Sequence, residues 1–344
     1  MSINLTNIPY SVLDLAVVTK GSSTAQAIQQ SRDLAQHAEE QGYHRFWMAE
    51  HHNMKHIASS ATTVLLGHVA EATTSIRVGS GGIMLPNHSP LVIAEQFGTL
   101  ATMYPNRIDL GLGRAPGTDQ ATAHAIRPDR IQQVHNFPEN VKQLRKYLSA
   151  ENDSNVRAFP GEGTEVPLWI LGSSTDSAHL AAELGLPYAF ASHFAPQQLH
   201  EAIRIYRENF KPSKQLDEPY IMAGINMIAA NSNEIAEYLS TSMKQMFLGI
   251  ITGEREPLPP PVDDLSTIMG IQYKMALNQM LAYSFIGDPI KIENELQAFI
   301  KQTEVNEVLI ASYIFDYEER LKSHQLFAEM MKGLISKEAS PLHS

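Results

Sequence analysis

Histidine, arginine, serine and glycine gather at a few points of this chain, each directly after a short apolar run. The first is Glu50-His51-His52-Asn53, which follows a stretch holding Phe46 and Trp47. The second is Gly79-Ser80-Gly81-Gly82, which leads to Asn87-His88. Then come Gly111-Leu112-Gly113-Arg114, Gly172-Ser173-Ser174 and Ser192-His193. An imidazole titrates near neutrality and suits proton transfer, so His51 is a candidate acid–base. Glu50 could orient a neighbouring imidazole, or could bind solvent or a loop amide. A metal shared by His51 and His52 is disfavoured, because consecutive residues of an extended chain point opposite ways.

Phosphate binding is the chemistry suggested at residues 172–177. Gly172-Ser173-Ser174-Thr175-Asp176-Ser177 runs straight into an amphipathic helical pattern. A helix N-terminus offers free N–H groups and partial positive charge, and Ser173, Ser174 and Ser177 add hydroxyls. Arg114 could make a charge-assisted pair with the same group. The alternative is that one serine simply caps the helix. Gly111, Gly113 and Gly117 form no dinucleotide fingerprint, because Pro116 breaks the pattern. Gly79, Gly81 and Gly82 inside a strand mark either close approach of a ligand or a crowded point of the core.

These points need a scaffold that brings them together. Apolar runs suited to strands occur at residues 10–18, 44–49, 76–85, 107–113, 167–171, 188–191, 220–230 and 307–312. Helical periodicity separates them. Eight strands alternating with helices indicate a parallel sheet, and the chain length favours a (β/α)8 barrel, an α/β TIM barrel, over an open sheet. The active site of such a barrel lies at the C-terminal strand ends, where the polar clusters fall. Residues 114–137, 151–166 and 249–285 are expected as insertions at that face of a single domain spanning 1–344. The last would act as a lid or substrate wall, with Phe247, Ile250, Ile268, Met269 and Tyr273 giving it an apolar face or belonging to the core.

Composition narrows the partners. A net charge of −11 lacks the basic footprint of nucleic-acid binding. The absence of cysteine excludes disulfides, thiolate nucleophiles and thiolate-bound metals. Residues 1–18 lack the basic start of a secretory signal, and no apolar run is long enough to span a bilayer. A cytoplasmic protein without membrane contact is expected.

Several of these segments, in order and spacing, resemble the bacterial luciferase-like monooxygenase family, and most closely its uncharacterised oxidoreductases. They are Ala49-Glu50-His51-His52-Asn53, the run from Gly79 to Pro90 with Leu85-Pro86 and Pro90, Arg107 to Arg114, and Leu171-Gly172-Ser173-Ser174 leading to Ala181-Ala182-Glu183-Leu184-Gly185. The resemblance runs from about Pro9 to Phe327. It implies a (β/α)8 barrel, commonly dimeric. It implies that reduced flavin mononucleotide (FMN), delivered by a separate flavin reductase, and dioxygen oxygenate a small organic substrate through a peroxyflavin.

Position by position, Arg114, Ser173, Ser174 and Ser177 would hold the phosphate beside Gly113. The Gly81–Gly82 region, where the family often has a non-prolyl cis peptide, would underlie the isoalloxazine. His51 would match the catalytic histidine. Luciferase itself has an acidic residue where this chain has Ser173, so light emission is not carried over. The alternatives are a deazaflavin-dependent oxidoreductase on the same fold, a non-catalytic flavin-binding protein, or a metal-dependent barrel hydrolase.

Overall fold

The computed structural model describes residues 4–334. The chain begins with β1 (Tyr10–Asp14), α1 (Thr24–Glu40), β2 (Arg45–Met48), α2 (Thr62–Ala72), β3 (Arg77–Met84), α3 (Pro90–Met103) and β4 (Ile108–Gly113). Two short helices, α4 (Gln120–Ile126) and α5 (Arg130–His135), precede α6 (Phe137–Leu148). Next come β5 (Leu168–Gly172), α7 (Thr175–Leu184), β6 (Tyr188–Phe190), α8 (Leu199–Asn209), β7 (Ile221–Ala229) and α9 (Asn233–Thr252). The last elements are α10 (Ile271–Met280), β8 (Ser284–Gly287), α11 (Pro289–Thr303), β9 (Glu307–Ala311) and α12 (Tyr317–Met331).

Local chemistry sets the element ends. The Ser23 hydroxyl accepts the Gln26 amide and starts α1, whose buried face carries Ala27, Leu34, Ala35 and Ala38 at helical spacing. Gly42, at φ 76°, lets the chain turn away after it. Asp288 and Asp316 cap α11 and α12 in the same way as Ser23. The first strand ends at Asp14, short of the expected residue 18. There the Asp14 carboxylate accepts the Ala16 amide and Ala16 takes φ 50°, which breaks the extended run.

The strands pair in parallel in the order β1-β2-β3-β4-β5-β6-β7-β9, and β9 pairs back onto β1. This is the closed eight-stranded barrel expected from the sequence, wrapped by helices. The ninth strand, β8, was not expected. It pairs only with β7, through Asn226–Ala229, where β7 runs past its contact with β9 at Met222–Asn226. An unpaired edge would otherwise remain there. Four residues are too few to show a strand period in sequence.

Alternation along the strands fills the barrel in layers. At the N-terminal ends a buried ionic layer closes the bottom. Arg45 Nη1 meets Asp109 at 2.6 Å and its Nε meets Glu307 at 3.1 Å. Arg77 Nη2 lies 2.5 Å from Asp109. Ser11 and Tyr220 donate to Glu307, and Trp47 Nε1 donates to Asp109. The next layer is apolar, with Leu13, Trp47, Trp169, Met222 and Leu309 packed together and the two indoles edge to face at 5.1 Å. Gly79 belongs to this layer. A Cβ there would meet Asp109 O at 2.6 Å and Trp47 Nε1 at 2.8 Å, so its glycine is explained by crowding, not by a ligand.

The three insertions differ in role. Residues 114–137 contain α4 and α5, which are too short to read from periodicity. Residues 151–166 join α6 to β5 and so lie at the opposite end from the C-terminal strand ends; Gly161 packs against Gly98 of α3. Their placement corrects the expectation that all three insertions lie at the C-terminal face. Residues 249–285 are tied to the loop after β1, where Leu258 N donates to Val18 O and Lys20 N donates to Leu258 O. Among the described residues no helix is long and apolar enough to cross a membrane.

Removing one partner of a buried ion network leaves uncompensated charge and costs about 3–5 kcal/mol. Asp109→Ala, which removes, among the described residues, the one carboxylate paired with Arg77 and one of the two paired with Arg45, should lower the unfolding free energy by that amount in urea titrations. A loss below about 1 kcal/mol would show that the ionic layer does not hold the barrel bottom.

Candidate active site at the C-terminal strand ends

Above the apolar layer the barrel opens into a cavity of 630 Å³, within the range of about 300–1,000 Å³ typical of small-molecule sites. All eight residues singled out from the sequence line it: His51, Gly81, Gly82, Gly113, Arg114, Ser173, Ser174 and Ser177. They come from the ends of β2, β3, β4 and β5 and from the first turn of α7.

The β2 end is organised by Glu50, which is 1% exposed. Its carboxylate accepts from His52 Nε2 at 2.7 Å, His88 Nε2 at 2.9 Å, Met84 N at 2.9 Å and Asn87 Nδ2 at 3.1 Å. Burial alone would raise its pKa, but the bonds from His52 and His88 outweigh burial and bring it to about 2. Glu50 therefore orients two imidazoles and a loop amide. Neither imidazole is His51.

His51 turns the other way, into the cavity, and its Nδ1 is buried without a hydrogen-bond partner among the described residues. Burial lowers its pKa to about 4 against the opposing pull of Glu50, so the ring is neutral at pH 7. His193, beyond β6, also lines the cavity with a buried, unpartnered Nδ1. Burial, helped by His51, lowers its pKa to about 4 as well. The sequence placed His193 after the sixth strand and ranked it below His51 for proton transfer.

On β3 the Gly81–Gly82 peptide is cis, and the pairing with β4 shifts register between Ser80 and Ile83. A Cβ on Gly81 would meet Leu13 Cδ1 at 2.7 Å, and one on Gly82 would meet Gly111 O at 2.7 Å. Both glycines thus combine the two readings left open by the sequence: they are crowded from behind and face the cavity in front.

The β4 and β5 ends bring the expected phosphate residues together. Arg114 Nη2 lies 3.0 Å from Asp176 in the first turn of α7, in an exposed pair. Ser174 is the N-cap of α7 by position, yet its side chain makes no capping bond. Ser177 is engaged otherwise: its hydroxyl donates to Ser174 O at 2.7 Å and pairs with Tyr188 OH at 2.9 Å. It shapes the turn under Gly172, which has no room for a Cβ beside it.

Arg130 of α5 was missed. It donates to Asn87 Oδ1 at 2.8 Å and to Arg114 O at 2.8 Å, and it lines the cavity. Its position within an insertion at the barrel mouth was the only signal available.

The remaining wall is apolar and methionine-rich, with Met84, Met246, Phe247, Ile250, Met280 and Tyr313. Of the five residues expected on a lid face, Phe247 and Ile250 reach the cavity. Ile268 is exposed, Met269 packs against the same cluster as Phe247 and Ile250 without lining the cavity, and Tyr273 is half-buried outside it.

Histidines held neutral by folding destabilise the protein as acid charges them. The unfolded imidazole binds its proton near pH 6.5 and the folded one near 4, so stability falls with pH across that window. Glu50 adds a further loss below about pH 4.3, as its carboxylate is protonated towards 2. A His51→Gln/His193→Gln double variant should show a shallower loss of stability between about pH 6.5 and 4 in denaturant titrations. An unchanged slope would show that these rings titrate normally.

Comparison with known proteins agrees with this geometry. A family model described as luciferase-like monooxygenase matches residues 8–276. A protein of Escherichia coli (strain K12) named luciferase-like monooxygenase is 50% identical over 95% of this chain and 98% of its own. An N-acetyl-S-alkylcysteine monooxygenase of Bacillus subtilis (strain 168) is 30% identical over 93% of this chain and 97% of its own.

Among solved structures, apo-MsnO8 has a TM-score of 0.85 at 32% identity, covering 94% of this chain and 98% of that one. The oxygenating constituent of a 3,6-diketocamphane monooxygenase of Pseudomonas putida, in complex with FMN, has a TM-score of 0.71 at 14% identity, covering 98% and 100%. An F420-dependent secondary alcohol dehydrogenase has a TM-score of 0.66 at 16% identity, covering 96% and 100%. These last two share the fold. With the family model spanning most of its length and half its residues shared with a relative of that name, the chain belongs to the luciferase-like monooxygenase family.

Proposed function

We propose that this protein is a flavin-dependent monooxygenase that uses reduced FMN and dioxygen to oxygenate a small organic substrate. The observation that carries the proposal is the convergence on one cavity of a neutral His51 with a buried, unpartnered Nδ1, the Gly81–Gly82 platform and the Arg114–Ser174 turn. The donor set fits a phosphomonoester. Arg114 is held only by an exposed carboxylate, a pairing that is easily exchanged. The Ser174 hydroxyl is not used as a cap. In the first turn of α7 the Thr175 amide is taken by Gln198, which leaves the amides that follow it to face an anion.

Reduced FMN, when bound, supplies the electrons and the atom at which dioxygen is activated. The chain's own residues do the rest. Arg114, Ser173 and Ser174 hold the phosphate, and Gly113 and the Gly81–Gly82 peptide leave room for the ring. His51, neutral at pH 7, accepts or donates a proton through Nδ1. The methionine-rich wall from α9 and α10 excludes water and adapts to the substrate.

The name of the Pseudomonas putida neighbour, an oxygenating constituent, supports delivery of reduced flavin by a separate reductase. A homodimer in the cytoplasm completes the proposal. Val64 on α2 and Val92 on α3 are exposed apolar side chains that a second copy would cover.

A charge-assisted bond to phosphate is worth about 1.5–3 kcal/mol. Arg114→Ala should therefore weaken FMN binding about ten- to hundredfold and leave riboflavin binding nearly unchanged, measured by flavin fluorescence. Equal losses for both flavins would contradict the phosphate assignment. His51→Ala should keep FMN affinity and lower substrate oxygenation by about a hundred- to ten-thousandfold. Undiminished oxygenation would remove His51 from the chemistry, and turnover without dioxygen would select a deazaflavin-type dehydrogenase instead.

A further inference from the structure

The cavity has cations at two separated places. Arg114 and Arg130 sit on the β4 side, beside the α7 turn. Arg255 sits on the other side, on the segment after α9 that is tied to the loop beyond β1. The β3 end with Gly81 and Gly82 lies between these sides in the barrel order.

Arg255 differs from the other two in its partners. Its neighbours Lys55 and Glu256 pair with each other at 2.6 Å. Among the described residues its guanidinium donates only to the Met54 thioether, at 3.9 Å, and no carboxylate answers it. Arg255 is itself exposed at the mouth. His56, by contrast, lines the same cavity at 5% exposure, and its buried Nδ1 has no hydrogen-bond partner among the described residues. The Arg255 charge acts on both His56 and His51. Around this corner the wall is apolar, with Met54, Ile57, Met246 and Ile250.

An unanswered guanidinium beside a buried, unanswered imidazole is a poor arrangement for a neutral ligand. Burial without a partner costs free energy that a ligand oxyanion would restore. We propose that Arg255 and His56 bind the oxyanion head of the substrate, a carboxylate or sulfonate, while its apolar tail lies along the methionine-rich wall. The substrate class is then an amphiphilic organic anion, held at its charged end so that a point along the tail faces His51. This rests on the flavin reading of the cavity for its catalytic meaning, but the anion site itself can be tested without flavin.

The test is calorimetric titration of the protein, with and without FMN, using straight-chain alkanoates from butyrate to dodecanoate, the matching alkanesulfonates and the matching primary amides. At least one alkanoate or sulfonate should bind about tenfold or more tightly than its amide. Arg255→Gln should abolish that preference, Arg255→Lys should restore part of it, and His56→Gln should reduce it. FMN affinity should stay within about twofold in all three variants, because the phosphate lies at the other side.

Equal binding of anions and amides, no anion bound by any member of the series, a preference that survives Arg255→Gln, or an equal loss of FMN binding would each overturn the proposal. Failure of the wild-type protein to bind FMN while it still selects anions would reject the flavin reading and leave the anion site standing. The alkanoate and sulfonate arms decide between the two heads.

Discussion

One buried carboxylate holds the rim of this barrel together. Glu50 lies out of water, where an ionised group survives only if its hydrogen-bond capacity is met. Donors reach it from the strand-ending amide of Met84, from Asn87 and His88 just beyond, and from His52 on its own loop. The ends of β2 and β3 are therefore fixed to each other. Asn87 passes the constraint on through Arg130 to the Arg114 carbonyl. Because His51 is the residue after Glu50, the same anchor that turns Glu50 outward leaves His51 facing the cavity. A neutral ring with one buried, unpartnered nitrogen is a consequence of where its neighbour is tied.

The two ends of the barrel divide the work. At the bottom, the charges of Arg45, Arg77, Asp109 and Glu307 answer one another. At the top, the imidazoles of His51, His56 and His193 each keep an unpartnered nitrogen, and the cavity among them is wide. Unmet hydrogen-bond capacity costs stability, and at these three rings it borders an open cavity that a ligand can enter. The apolar layer of Trp47 and Trp169 insulates one from the other.

Most of the barrel was legible in the sequence, because strands buried on both faces read as apolar runs and the loops between them as polar clusters. The motif residues around His51, Arg114 and Ser174 were legible for the same reason: they follow the strands directly. What escaped was whatever lacks a period or a fixed distance from a strand. α4, α5 and β8 are too short, and Arg130 lies within that short α5. Glu50 was left open between orienting an imidazole and binding solvent or a loop amide, because most of its partners lie more than thirty residues away. Gly79 could be read either as close approach of a ligand or as a crowded point of the core. Only the packed structure shows the indole and strand that exclude a side chain there.

The central claim is a position: a flavin ring over Gly81–Gly82, within reach of His51, with its phosphate between Arg114 and the Ser174 turn. A crystal structure of the protein soaked with FMN tests it most directly. The account predicts density for the ring against that cis peptide, and phosphate oxygens within hydrogen-bond distance of the Arg114 guanidinium and Ser174. Nucleotide bound elsewhere on the surface, or a cavity that stays free of FMN at saturating concentration, would contradict it.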